Sequence, residues 1–161
     1  MLKHDILNFI IRPALKVTDL WSPSAEILVY GTGLIETDYN YLMQMGTPPN
    51  GGIGFFQMES SDYLDLYSFL RRPKNSRLFN SVLSACYYAS FPMDSTVLAS
   101  NIKFAALMCR CHYLRYPEAL PDAKNSQALS EYHKVYYNSS LGTADAAKNA
   151  VIFQSIIDEV I

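Results

Sequence analysis

The sequence predicts a mainly α-helical fold, and three observations predict it. Apolar residues recur at helical rather than alternating spacing through most of the chain. Ser, Thr or Asp residues stand at the heads of these stretches and prolines stand between them, which is the punctuation of separate helices. The one turn-rich stretch that could join strands, Gly46-Thr47-Pro48-Pro49-Asn50-Gly51-Gly52, carries little strand signal, so at most a vestigial β-hairpin is expected. At 161 residues the chain fits one domain over 1–161, with an N-terminal helical segment over 1–21 and a core over 22–161.

Residues 2–19 read as a short helix interrupted at Pro13, with Leu2, Ile6, Ile10 and Leu15 as core contacts. The next helix starts cleanly: Ser22 as N-cap, Pro23 in the first position, Glu26 in the first turn. Ala25, Leu28, Val29 and Ile35 give it an apolar stripe. Gly31 and Gly33 each cost about 1 kcal/mol against Ala there, so another backbone or a ligand is expected to pass close by. In the loop 38–52, Tyr39, Tyr41 and Met43 could line a groove. Ser60–Leu70 is a helix capped by Ser60 or Ser61, with Tyr63, Leu64, Tyr67 and Leu70 inward. It ends through Pro73, and Asn75–Ser90 follows with Leu78, Phe79, Val82, Leu83 and Cys86 inward. After Phe91-Pro92 comes the longest clean helix, Ser95–Tyr116, capped by Asp94 or Ser95. Its small residues Ala105 and Ala106 suit close helix contact. Asn125–Tyr137 is a further helix, and Thr143 caps a last one, Ala144–Glu159, with Val151, Ile152, Ile156 and Val160 inward.

Composition narrows the function classes. A net charge of −2 argues against a nucleic-acid footprint. The basic cluster Arg71-Arg72-Pro73-Lys74 with Arg77 reads as a solvated helix end, with contact to an anionic polymer as the alternative. Cys86, Cys109 and Cys111 are odd in number and irregular in spacing, so buried free thiols are expected rather than a disulfide framework. His4, His112 and His133 are scattered; His112 lies beside two cysteines but lacks a fourth ligand at suitable spacing, and neither a metal nor a cofactor is expected. No apolar run is long enough for a membrane span, and no secretory signal is read at the N-terminus. Twelve tyrosines suit sugar stacking and protein interfaces alike, or half-buried helix positions.

Glu36 is the candidate acid. It closes the second helix among Leu34, Ile35 and Tyr39, and Phe55 and Phe56 could fold back over it. A carboxyl desolvated in this way stays protonated near neutral pH and can protonate a departing glycosidic oxygen; the bland alternative is a solvated helix-end glutamate. The turn Gly51-Gly52-Ile53-Gly54-Phe55-Phe56-Gln57 permits close approach of backbone to a substrate, and Gln57 offers the donor and acceptor that an N-acetyl sugar needs.

Glu36-Thr37 resembles the Glu-Ser or Glu-Thr pair, and Gly54-Phe55-Phe56-Gln57 the Gly-Leu-Met-Gln turn, of the lysozyme-like lytic transglycosylases of the goose-type and soluble bacterial class. Asn101-Ile102 resembles the family's Asn-Ile motif, and Tyr137-Asn138 with Gly142 its Tyr-Asn-Ala-Gly motif. The four motifs fall in the family's order from Ser22 to the C-terminus, in the form found in phage virion-associated peptidoglycan-cleaving proteins. Ser139 and the late Gly142 depart from the pattern, as does Phe55-Phe56 in place of Leu-Met.

The resemblance implies a lysozyme-like helical domain that cuts peptidoglycan, with Glu36 catalytic and Thr37, Gly54, Phe55, Phe56, Gln57, Asn101, Tyr137 and Asn138 at the substrate. In that family the tyrosine lies near the glutamate, so the Tyr137 hydroxyl is expected to aim at the Glu36 carboxyl or at the sugar's acetamido group; a helix-end aromatic plug is the alternative. It further implies a virion location, action at the host wall and contacts with other virion proteins. A hydrolytic muramidase would need a second carboxylate, for which Asp38, Glu59 and Asp62 are nearest in sequence and Glu59 the best placed. A virion structural protein of the same fold is the reading from a different class.

Overall fold

A computed structural model describes residues 3–43, 51–138 and 145–161. Among them the chain is mainly helical. The N-terminal segment comprises α1 (Lys3–Ile6), a π-helical turn (Leu7–Ile11) and α2 (Arg12–Val17). Pro13 does not interrupt it. The Arg12 N–H bonds to the Leu7 carbonyl five residues back, and this widened turn absorbs a proline that an ordinary ladder would reject. Ile6, Leu7, Ile11, Ala14 and Leu15 are buried, whereas Ile10 is only partly so, because the extra residue in the turn rotates the apolar face; Leu2 lies outside the described residues.

In α3 (Pro23–Thr37) Ser22 Oγ accepts the Ala25 N–H at 3.1 Å, as its sequence predicts. Every residue from Ala25 to Gly33 is buried, so α3 is enclosed on all sides. Gly31 and Gly33 make room for rings rather than for backbone or ligand. A Cβ at Gly31 would lie 2.3 Å from the Phe153 ring, and one at Gly33 2.3 Å from the Tyr39 ring. Asp38 and Tyr39 then take consecutive left-handed conformations, with φ of 51° and 55°. That reversal drives Tyr39 into the core, where its hydroxyl donates to the Tyr30 carbonyl at 2.9 Å, so Tyr39 lines no groove.

α4 (Ser60–Leu70) follows Glu59, its N-cap residue; Ser60 already lies in the helix and its Oγ meets Ser95 Oγ at 2.8 Å, so neither serine caps. Leu66 is buried and Leu64 is 45% exposed, an inversion of the expected stripe at those two positions. A 3₁₀ turn (Pro73–Asn75) leads into α5 (Ser76–Ala85). This helix stops five residues short of the expected Ser90: Tyr87 adopts φ 60° and the Tyr88 N–H turns back to the Leu83 carbonyl.

The stretch expected as one helix over Ser95–Tyr116 is two, α6 (Val97–Ser100) and α7 (Ile102–Leu114). Asn101 separates them in an extended conformation (ψ 91°), and its Oδ1 accepts the Phe104 N–H at 2.9 Å. A capping side chain competes with the helical ladder, and here it wins. Residues Phe104 to Tyr113 of α7 are all buried, Ala105 and Ala106 among them. α8 (Ser126–Tyr136) is capped by Asn125. α9 (Ala146–Val160) is capped by Asp145, two residues beyond Thr143, which lies outside the described residues. Phe153, Ile156 and Ile157 face the core and Val151 is 70% exposed, so the buried stripe is offset from the expected one at that position.

α9 packs across α8 and α3, and the π turn packs against α3 and α7. The described residues hold no strand; isolated bridges pair Ile53 with Met43 and with Met58, so the β-hairpin is vestigial. Cys86, Cys109 and Cys111 are free and buried. No described helix is long and apolar enough to cross a membrane.

Candidate active site

The last turn of α3, the turn after Gly52, the start of α4 and the end of α8 meet around a cleft of about 390 Å³. Its lining includes Glu36, Gln57, Tyr137 and Asn138, four of the residues singled out by motif, together with Tyr41, Glu59 and Asp62. The volume lies within the roughly 300–1,000 Å³ of small-molecule sites. Unlike most such sites, the walls are dominated by polar and acidic side chains, which suits a hydroxyl-rich ligand.

Glu36 reaches the cleft with its side chain 20% exposed. Its Oε1 lies 3.4 Å from Nε2 of His133, a fully buried residue of α8. That is ion-pair range but longer than a well-formed hydrogen bond, and among the described residues neither ring nitrogen of His133 has a hydrogen-bond partner. The Tyr137 ring stacks on the imidazole with centroids 5.7 Å apart. The apolar cover expected from Phe55 and Phe56 is absent from the cleft. Both rings turn into the core and meet Tyr39 edge-on, at 5.3 and 6.2 Å.

The Gly54–Gln57 turn is fastened from three sides. The Thr37 hydroxyl, buried, donates to the Phe55 carbonyl at 2.9 Å and accepts the Tyr39 N–H. The Tyr137 hydroxyl donates to the Phe56 carbonyl at 2.7 Å rather than aiming at the Glu36 carboxyl. Burial, Cys109 and the Glu36 carboxyl push Tyr137 well above its ordinary pKa, so it stays a neutral donor. Gly54 has φ 76°, and a Cβ there would lie 2.3 Å from the Leu98 carbonyl oxygen. Its smallness serves the contact with α6, not a substrate. Gln57 adopts φ 47°, its Nε2 donates to the Gly54 carbonyl, and the residue lines the cleft.

Thr37, Gly54, Phe55 and Phe56 therefore shape the site from behind, and Asn101 does not line it: besides capping α7 it donates to the Tyr88 hydroxyl at 3.0 Å. Ser139 and Gly142 lie outside the described residues. Of the three carboxylates named for a second role, Glu59 and Asp62 line the cleft, while Asp38 pairs with Lys3 at 2.5 Å and does not. Arg115 Nη2 stands 3.9 Å from Asp62. His133 is the residue that sequence reasoning missed. It stands four positions before Tyr137, one helical turn away on the same face, and that spacing was the available signal.

His112 supports the site from α7. Burial and Arg115 lower its pKa to about 4, so the ring is neutral; Nε2–H donates to the Tyr136 carbonyl at 2.8 Å and Nδ1 accepts from Arg115 at 2.9 Å. Among the described residues no three His, Cys, Asp or Glu side chains gather as a metal site. No family model, no curated protein and no solved structure matches the chain.

Proposed function

We propose that the chain is a lysozyme-like lytic transglycosylase, associated with a phage virion, that cuts peptidoglycan between N-acetylmuramic acid and N-acetylglucosamine. The observation that carries this reading is the convergence of Glu36, Gln57, Tyr137 and Asn138, from distant parts of the sequence, on one polar cleft. Glu36 donates a proton to the glycosidic oxygen as the C1–O bond breaks. The substrate's own acetamido oxygen stabilises the positive charge at C1, so no protein nucleophile is needed. The Glu36 carboxylate then takes the proton of the 6-hydroxyl, whose oxygen closes on C1 to give a 1,6-anhydro sugar. Gln57 and Asn138 offer amides to the sugar, and Tyr137 holds the turn that presents Gln57. In this role the protein acts at the host wall during genome delivery or lysis, beside other virion proteins.

Glu59 and Asp62 on the same cleft favour one second reading, a muramidase in which one of them activates water. Incubation of the protein with peptidoglycan sacculi, read by mass spectrometry, separates the two. Anhydro-muropeptides are expected, and Glu36→Gln should lower their release by at least about 100-fold. Reducing ends in their place would establish the hydrolase. No release by the folded wild type would end both readings and leave a structural role in the particle.

A further inference from the structure

We propose that His133 is the positioning residue of the acid: its imidazole and the Glu36 carboxyl hold one proton between them across the Nε2–Oε1 contact. The inference rests on the reading of Glu36 as the acid. His133 is fully buried, its two ring nitrogens have no hydrogen-bond partner among the described residues, and Glu36 Oε1 is 3.4 Å away. An unpaired buried polar group is costly, so an imidazole kept here without a partner is a liability unless the neighbouring carboxyl satisfies it. The ring is gripped between Tyr137 at 5.7 Å and Phe153 of α9 at 6.4 Å, which holds it in the protein interior.

Among the described residues the other titratable groups on the buried side of the pair are His112, Cys109 and Tyr113 from α7 and Tyr137 beyond the end of α8, with Tyr41, Glu59 and Asp62 sharing the cleft with Glu36; α9 contributes the Phe153 ring. His112 is held neutral, and burial holds Cys109, Tyr113 and Tyr137 in their protonated, uncharged forms. Glu36 is thus the group in this set with which His133 can exchange charge. The arrangement fits both halves of the reaction. Neutral imidazole accepts a hydrogen bond from the Glu36 acid before cleavage. The Glu36 proton then passes to the glycosidic oxygen, the carboxylate takes the proton of the 6-hydroxyl, and the pair ends with the one proton it began with.

Two measurements test this. The first is the NMR titration of the His133 ring in the wild type and in Glu36→Gln, with His4 and His112 assigned by substitution. The pH dependence of the His133 ring signals should differ between the two proteins, because the shared proton is lost with the carboxyl. Identical titrations would overturn the proposal. This arm needs no turnover, so it decides the pairing even if sacculi are not cut and the glycan reading fails. The second is the pH profile of sacculus cleavage by the wild type and by His133→Gln. The variant's alkaline limb should fall about one pH unit earlier, with roughly tenfold lower release there and little change in acid. Superimposable limbs would overturn it, and if His133→Gln does not fold the titration decides alone.

Discussion

Thr37 Oγ1 sits 2.9 Å from the Phe55 carbonyl and 3.3 Å from the Gly33 carbonyl, and a hydroxyl has one proton to give. The shorter contact takes it, which makes Thr37 the clasp between the end of α3 and the turn that carries Gln57. Thr37→Val keeps the shape and removes the clasp. It should cost about 1–2 kcal/mol in urea unfolding, because the Phe55 carbonyl and the Tyr39 N–H both lose a buried partner. Tyr137, just past α8, repeats the logic with its hydroxyl on the Phe56 carbonyl. Both residues had been singled out for the substrate. Their polar atoms are spent on the turn instead, and the cleft keeps the carboxyls of Glu36, Glu59 and Asp62, the amides of Gln57 and Asn138, and the hydroxyls of Tyr41 and Ser61.

The helices that matter most are those whose ends are set by a side chain. Asn101 ends α6 and begins α7, and Asp145 Oδ1 accepts the Ala147 and Lys148 N–H groups at the start of α9. Asp145→Ala should destabilise the protein by about 1 kcal/mol, read as a lower urea midpoint at unchanged slope. The N-terminal segment is tied to α3 by a different device. Arg12 grips both oxygens of the buried Glu26, at 2.5 and 2.9 Å, and Trp21 Nε1 adds a third bond at 2.6 Å. The ion pair raises the Arg12 pKa, the hydrogen bond with Glu26 being the main cause. Glu26 therefore does more than favour a helix N-terminus. It anchors the segment ahead of α3, and nothing in its spacing from Arg12 announced that.

For the whole molecule the clearest pH signature comes from His112. Its folded pKa of about 4 lies below the ordinary 6.5, with burial as the first cause and Arg115 as the second. The unfolded chain therefore binds more protons between these values. The contribution is fully present above pH 6.5 and is lost as pH falls towards 4, and it amounts to about 3 kcal/mol. Unfolding free energies measured between these limits should fall with acid in the wild type and less steeply in His112→Gln.

How much was legible beforehand follows from the range of the interactions. The helical class, the Ser22 cap, the buried free thiols and the grouping of Glu36 with Gln57, Tyr137 and Asn138 on one cleft were available from local pattern and motif order. Helical periodicity, capping chemistry and glycine placement act over a few residues, and a chain carries them openly. Tertiary packing decided the rest: that Pro13 passes through a π turn, that Asn101 breaks a helix of unbroken apolar period, and that Phe55 and Phe56 face Tyr39. It also set His133 against Glu36, 97 positions earlier in the chain. The physical reason is that a buried polar contact takes its partner from whichever helix packs across it, and the sequence around His133 holds no record of which helix that is.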